Sequence, residues 1–262
     1  MKVTLITGAS GGIGEAFARN LARKRQNLVL VARSENRLHE ICDELMLQYG
    51  ITAHYVAVDL NDFEADQRLF DETEKHGMEV DWLINNAGFG SMGDFTELGL
   101  ERELEMIGLN VMVLVALTHR YLKGMRARKR GTIINVSSAA GFQPIPYMAT
   151  YAATKAFVTS FSEAIAEENR QYGITVTALC PGPTETGFFE TAKAIPFSAM
   201  QTADKVVETG LRAAERKKSL VISGWTNYLK AHAATFAPNS LVTKFISSVM
   251  RPKLKAQKRL KN

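Results

Sequence analysis

Seven short apolar runs, each separated from the next by a stretch long enough for a helix, restrict the possible folds of this chain more than any other feature. The runs are Val3 to Thr7, Asn27 to Ala32, Ala53 to Val58, Trp82 to Asn85, Gly131 to Ser137, Ile174 to Cys180 and Leu220 to Ser223. The segments between them, among them Ile13 to Lys24, Ser34 to Tyr49 and Asp62 to His76, keep apolar residues at helical spacing and charges on the outer face. Strands that alternate with helices pair in parallel, through crossovers that are right-handed in nearly all cases. The expectation is an α/β fold, a doubly wound parallel sheet of about seven strands with helices on both faces. Such a sheet receives ligands at the C-terminal ends of its strands.

No repeat, low-complexity block or Pro/Gly-rich linker divides the 262 residues, so 1–262 is expected to form one domain. Two stretches stand apart. Pro181 to Met200 lacks periodicity and follows a strand, which predicts a substrate lid at 183–200. At 240–262, Leu241, Val242, Phe245, Ile246, Val249 and Met250 recur at helical spacing and lead into Arg251, Lys253, Lys255, Lys258, Arg259 and Lys261. This predicts a basic amphipathic segment. The net charge of +5 hides an asymmetry, because eleven Lys or Arg and no acidic residue follow Glu215, leaving the rest of the chain at −6. A tail of this kind suits a membrane surface or an acidic carrier protein, and equally a solvated face; no nucleic-acid partner is expected.

Other classes find little support. The opening Met1 to Thr7 is too short for a secretory core, and no run reaches the ~18 apolar residues of a spanning helix. Cys42 and Cys180 are read as small core residues in a reducing compartment. Five dispersed histidines form no HExxH cluster, so no metal is expected. These readings place the protein in the cytoplasm, at most peripheral at a membrane surface.

The first strand ends in Thr7-Gly8-Ala9-Ser10-Gly11-Gly12-Ile13-Gly14 and a helix follows at once. Glycines let backbone N–H groups approach an anion, and the positive end of the helix dipole favours a pyrophosphate. The spacing GxxxGxG is neither GxGxxG nor the GxxxxGK[ST] triphosphate loop. Between a first strand and a first helix it predicts dinucleotide binding through Gly8, Ser10, Gly12, Ile13 and Gly14. The second strand ends in Val31-Ala32-Arg33-Ser34, where a carboxylate would instead select the free ribose of NAD. Arg33, with donors from Ser34 and Arg37, suits a 2′-phosphate, so NADP(H) is preferred over NAD(H).

Farther along stand Asn85-Asn86-Ala87-Gly88, Asn110, Ser138, Tyr151 and Lys155, and then Pro181-Gly182. Residues i and i+4 share a helix face, which puts the Tyr151 phenol beside the Lys155 ammonium. A positive neighbour is expected to lower the Tyr151 pKa toward working pH, making it a general acid/base. Ser138, at a strand end, would hydrogen-bond the substrate oxygen; Ser137 is its competitor, but should face the other way.

Taken together, and in this order over about the first 190 residues, these motifs resemble the classical short-chain dehydrogenase/reductase family, in its bacterial ketoacyl-reductase-like and steroid-dehydrogenase-like branch. The resemblance implies a Rossmann fold and NADP(H)-dependent oxidoreduction. It also implies that Lys155 bonds the nicotinamide ribose and that Asn110 holds a relay water. Asp59 and Leu60 would border the adenine, Asn86, Ala87 and Gly88 the cofactor backbone, and Pro181, Gly182, Thr184 and Thr186 the nicotinamide side. Thr184 departs from the family's usual β-branched apolar residue. A homodimer or homotetramer through the Tyr-bearing helix is implied as well.

Phe89, Phe142, Gln143, Tyr147 and Phe188 flank the motifs and are expected to contact substrate, as are Met92, Ala139, Pro144, Met148 and Phe189. Their apolar character points to a hydrophobic ketone, aldehyde or alcohol. A 3-oxoacyl thioester reductase is the narrower alternative, and a non-catalytic dinucleotide-binding regulator the different one.

Overall fold

A computed structural model describes residues 1–192 and 200–259. Seven parallel strands form one sheet: β1 (Lys2–Thr7), β2 (Leu28–Ala32), β3 (Ala53–Ala57), β4 (Glu79–Asn85), β5 (Gly131–Val136), β6 (Ile174–Cys180) and β7 (Leu220–Ile222), in the order β3-β2-β1-β4-β5-β6-β7. The predicted α/β fold is the observed one. Every residue of β2 is buried, as expected of a strand covered on both faces.

Helices α1 (Gly12–Arg23), α2 (Glu35–Tyr49), α3 (Ala65–Lys75), α4 (Leu100–Ile107), α5 (Leu114–Arg128), α6 (Ala149–Arg170), α7 (Phe188–Thr191), α8 (Ala203–Glu215), α9 (Trp225–Phe236) and α10 (Asn239–Arg259) fill the connections. On one face of the sheet, Phe17 and Leu21 of α1 and Leu38 and Ile41 of α2 pack with Val206 and Leu211 of α8 against Ile6, Leu30 and Ile134. The other face buries Leu69 of α3, Leu117 and Tyr121 of α5 and Ala166 of α6 against Leu5, Val29 and Ile133. Such two-sided burial follows from alternate strand residues pointing to opposite faces.

The chain leaves β1 toward β2 and β3, then returns to place β4 on the other side of β1. At this reversal the helices that follow β1 and β4 pack on opposite faces of the sheet, α1 on one and α5 on the other, and leave a crevice at the strand ends, the place where doubly wound sheets bind ligands. Asn135, which with Val136 and Ser137 spells a glycosylation sequon, is wholly buried and out of reach of modification. No helix among the described residues is long and apolar enough to cross a membrane. The lid expected at 183–200 falls partly on 193–199, and the tail's last three residues on 260–262, both outside the described residues.

Candidate active site

A cleft of about 1160 Å³ runs along the C-terminal edge of the sheet from Arg33 and Asp59 to Tyr151. At its floor, a methyl group on Gly14 would lie 2.1 Å from the Gly8 carbonyl oxygen, and one on Gly8 2.8 Å from Asn86 Nδ2. Only glycines let helix α1, the turn and the β4 loop close to this distance. Asn86 ties them together, its Nδ2 donating to the carbonyls of Thr7 and Gly8 at 2.9 and 3.1 Å. Thr7 Oγ1 in turn accepts from the backbone N–H groups of Asn86 and Ala87, both at 2.9 Å. Gly14 itself does not line the cleft; its role is this packing.

Gly8, Ser10, Gly12, Ile13, Arg33, Ser34, Asp59, Leu60, Asn86, Ala87, Gly88, Pro181, Gly182, Thr184 and Thr186 all border the cleft, as the sequence suggested. A dinucleotide fits this cradle: a glycine turn at a helix N-terminus for pyrophosphate, and donors at the end of β2 for the distal ribose. Arg37 does not take part. Its guanidinium is held by Glu15 at 2.9 Å and Glu40 at 3.1 Å, away from the cleft, which corrects the expectation that it would serve a phosphate.

At the other end, Ser138 follows β5 and its Oγ accepts from Ala140 N at 3.1 Å. It also hydrogen-bonds the Tyr151 phenol, one turn into α6. Ser137 faces the opposite way, as expected, its hydroxyl bonded to the Lys155 carbonyl and Thr159 at 2.7 Å each. Lys155 Nζ donates to the Val136 carbonyl at 2.9 Å and sits 5.9 Å from the Tyr151 ring centroid. Both side chains point into the same end of the cleft.

Their electrostatics differ from the expectation. Burial pushes the Tyr151 phenol up to about 12, with the Ser138 hydrogen bond a smaller opposing effect. Burial also pushes Lys155 down to about 8. Desolvation of a phenolate here outweighs a cation placed over the ring rather than against the oxygen. Tyr151 is therefore a neutral phenol at neutral pH, a form that donates a proton.

Phe142 and Tyr147 also depart from expectation, while Asn110 is held from two sides. Asn110 lies in a π turn, Gly108–Val113, between α4 and α5. Its Oδ1 accepts from Phe89 N at 3.1 Å, while its Nδ2 donates to the Phe89 carbonyl and Thr154 Oγ1, both at 3.0 Å. The amide clamps the loop after β4 against α6 and so fixes the π turn beside the site. Phe142 packs behind the site with Ala178, Cys180, Ile222 and Ala231. Tyr147, at φ 69, receives Arg251 Nε of α10 on its hydroxyl at 3.0 Å and does not line the cleft. Phe89, Gln143 and Phe188 do line it, joined by Met92, Ile145, Met148 and Phe189. This apolar end is walled by the cluster in which Tyr151 and Phe188 pack, their ring centroids 5.2 Å apart.

Sequence reading passed over Arg102, Asn227 and Lys230, all at the cleft. Arg102 sits 4.7 Å above the Phe89 ring and donates to the Thr191 carbonyl at 2.7 Å. Asn227 and Lys230 arrive on α9, more than 40 residues after the last motif. No local pattern marks them, because their approach depends on how α9 returns across the sheet edge.

A crossover sheet with this cradle and a phenol, hydroxyl and lysine beyond it defines a nicotinamide-dinucleotide oxidoreductase of the Rossmann type. Residues 2–195 match the short chain dehydrogenase family, and the chain belongs to it, as a classical short-chain dehydrogenase/reductase. It is 31% identical over 250 residues to a very-long-chain 3-oxoacyl-CoA reductase of Rattus norvegicus, covering 92% of this chain and 76% of that protein. The chain spans only 52 to 58% of the length of several other curated relatives bearing that name. Among solved structures it is similar to a short-chain dehydrogenase from Sphingobium yanoikuyae in complex with NADPH, with a TM-score of 0.84, 29% identity and coverage of 92% and 95% of the two chains. A 7β-hydroxysteroid dehydrogenase superposes with a TM-score of 0.85 at 26% identity, over 94% and 96%.

Proposed function

We propose that this protein is an NADPH-dependent carbonyl reductase acting on a ketone or aldehyde of a lipophilic molecule. The carrying observation is that the neutral Tyr151 phenol and the Ser138 hydroxyl meet where the polar cleft runs into the apolar end lined by Phe89, Met92, Met148, Phe188 and Phe189. Bound NADPH supplies a hydride to the carbonyl carbon. Tyr151 donates its proton to the carbonyl oxygen, and Ser138 holds that oxygen as negative charge builds. Lys155, charged below about pH 8, is assigned to the nicotinamide ribose. Alcohol oxidation runs through the same groups in reverse.

Preference for NADPH rests on the end of β2. Arg33 is largely exposed at the cleft, 3.6 Å from Asp59, and free to turn toward a phosphate. Ser34 borders the cleft and caps α2 without using its hydroxyl on the helix, which leaves that hydroxyl and the positive helix end available to a ribose phosphate. The NADPH bound to the Sphingobium relative supports the same choice. Arg33→Asp should shift the NADPH/NADH ratio of kcat/KM toward NADH by about 10²-fold or more, as expected when a charge-assisted pair becomes a repulsion. An unmoved ratio would exclude this phosphate site.

A 3-oxoacyl thioester is a second reading of the substrate, favoured by the names of the curated relatives and by two cleft cations, Arg102 and Lys230, suited to an anionic carrier group. A panel of lipophilic ketones, aldehydes and 3-oxoacyl-CoA thioesters, followed by NADPH absorbance, tests both. Turnover of the free ketones supports the first reading, and turnover confined to thioesters the second. No oxidation of NADPH by any of them rejects the proposal.

A further inference from the structure

Helix α9 carries two different faces. Ala231 is buried against Ala178, Cys180 and Ile222, and Asn227 and Lys230 line the cleft. On its other side Trp225, Tyr228, Leu229, His232 and Phe236 fall on one stripe at i, i+3, i+4, i+7 and i+11. Trp225 is 71% exposed and Phe236 88%. The Trp225 and Tyr228 rings stack with centroids 5.9 Å apart, so the stripe presents a stiff aromatic surface.

Helix α10 repeats the arrangement. Met250, Ile246 and Leu254 pack into the cluster that holds Tyr151, Met148 and Met92, while Leu241, Phe245 and Val249 remain exposed at i, i+4 and i+8. The apolar pattern read as an amphipathic segment thus divides into an inward half that walls the substrate end and an outward half with no partner among the described residues. Within α9 and α10 the sequence holds seven Lys or Arg and not one acidic residue.

We propose that the outer faces of α9 and α10 dock on an anionic lipid surface. Trp, Tyr, Phe and Leu on helices that also carry Lys and Arg make up the composition that settles at the headgroup boundary, where apolar insertion and attraction to anionic lipid add. A second copy of this chain is a poor occupant, since α9 and α10 carry Lys and Arg and no acidic residue of their own, and two such helix pairs would repel. The inner face of α9 borders the cleft and that of α10 packs against the cluster walling its apolar end, so docking brings the bilayer close to that end of the site. This partner assignment stands independently of the reaction proposed above.

The test uses the full chain with vesicles of phosphatidylcholine alone and of phosphatidylcholine with phosphatidylserine at roughly 7:3. At low salt the protein is expected to sediment with the serine-lipid vesicles, binding them about tenfold or more tightly than the neutral ones. In a Trp82→Phe background, the Trp225 emission should shift to the blue on binding. The double variant Trp225→Ser/Phe245→Ser, at positions outside the cleft, should bind vesicles at least about tenfold more weakly while NADPH affinity is unchanged. The proposal is overturned if the full chain stays in the supernatant with anionic vesicles, or if the double variant sediments as well as the parent. It is equally overturned if the protein ignores vesicles but self-associates, or binds an acidic polypeptide, through these two residues.

Discussion

Tyr151→Phe is expected to lower kcat for carbonyl reduction by about 10²- to 10⁴-fold, the usual contribution of a positioned proton donor. NADPH affinity should be retained, because the substitution removes one oxygen at the substrate end and leaves the glycine turn, Asn86 and the β2 end untouched. The phenylalanine ring keeps its packing against Phe188, so folding should be unaffected. Stopped-flow NADPH binding together with steady-state turnover separates the two quantities. Turnover within a few-fold of wild type would remove Tyr151 as the acid. Since burial raises its pKa to about 12, loss of its proton is not what limits reduction anywhere near neutral pH.

The second large effect concerns Lys155, and it has two opposite signs. Lys155→Met should lose most of kcat/KM for NADPH yet raise thermal stability. The folded protein depresses this lysine from 10.5 to about 8, so the folded state holds the proton more weakly than the unfolded chain. The charged form therefore opposes folding below pH 8, and that cost fades as the pH rises from about 8 to 10.5. Its full size is about 3 kcal/mol; losing the bond to the Val136 carbonyl offsets part of this, leaving a gain of roughly 1–2 kcal/mol and a few degrees in Tm. The Tm advantage of the variant should shrink across that alkaline interval, as calorimetry at several pH values would reveal. For the wild-type protein, kcat/KM for NADPH should hold steady below pH 8 and fall above it as the ammonium is lost. A destabilised variant, or a flat profile through pH 9, would show that Lys155 is not a strained cation retained for binding.

Much of the architecture was legible because it follows from periods of two and of 3.6 residues. Six of the seven runs were placed to within a residue at each end; β4 begins three residues earlier, at Glu79, where charged Glu79 and Asp81 alternate with Val80 and hide the strand from an apolar count. The glycine turn was legible for a local reason too. A strand leading directly into a helix leaves few ways to place those glycines, and the close approach of Gly14 to Gly8 is the same constraint in three dimensions. Ser138 was chosen over Ser137 by the spacing of the family the chain resembles and by strand alternation, and Ser137 does turn away, to the Lys155 carbonyl.

The misassigned residues share another cause. Arg37 sits where an arginine can reach a phosphate, but Glu15, 22 residues earlier, reaches it first. Phe142 and Tyr147 flank the motifs in sequence, whereas β7 and α9 enclose the first and α10 engages the second. Proximity along the chain says which residues are near a site, not which way their side chains turn.

The sequence by itself determined the parallel alternating sheet, the phosphate turn after β1 and the helical pairing of Tyr151 with Lys155, because each depends on residues within a turn or a strand of one another. Only the tertiary structure decided the charge states of that pair, since desolvation depends on everything packed around them. It alone brought α9 to the cleft and α10 against the cluster behind it, as contacts between segments distant in the chain are fixed by the packing of the whole core rather than by any local pattern.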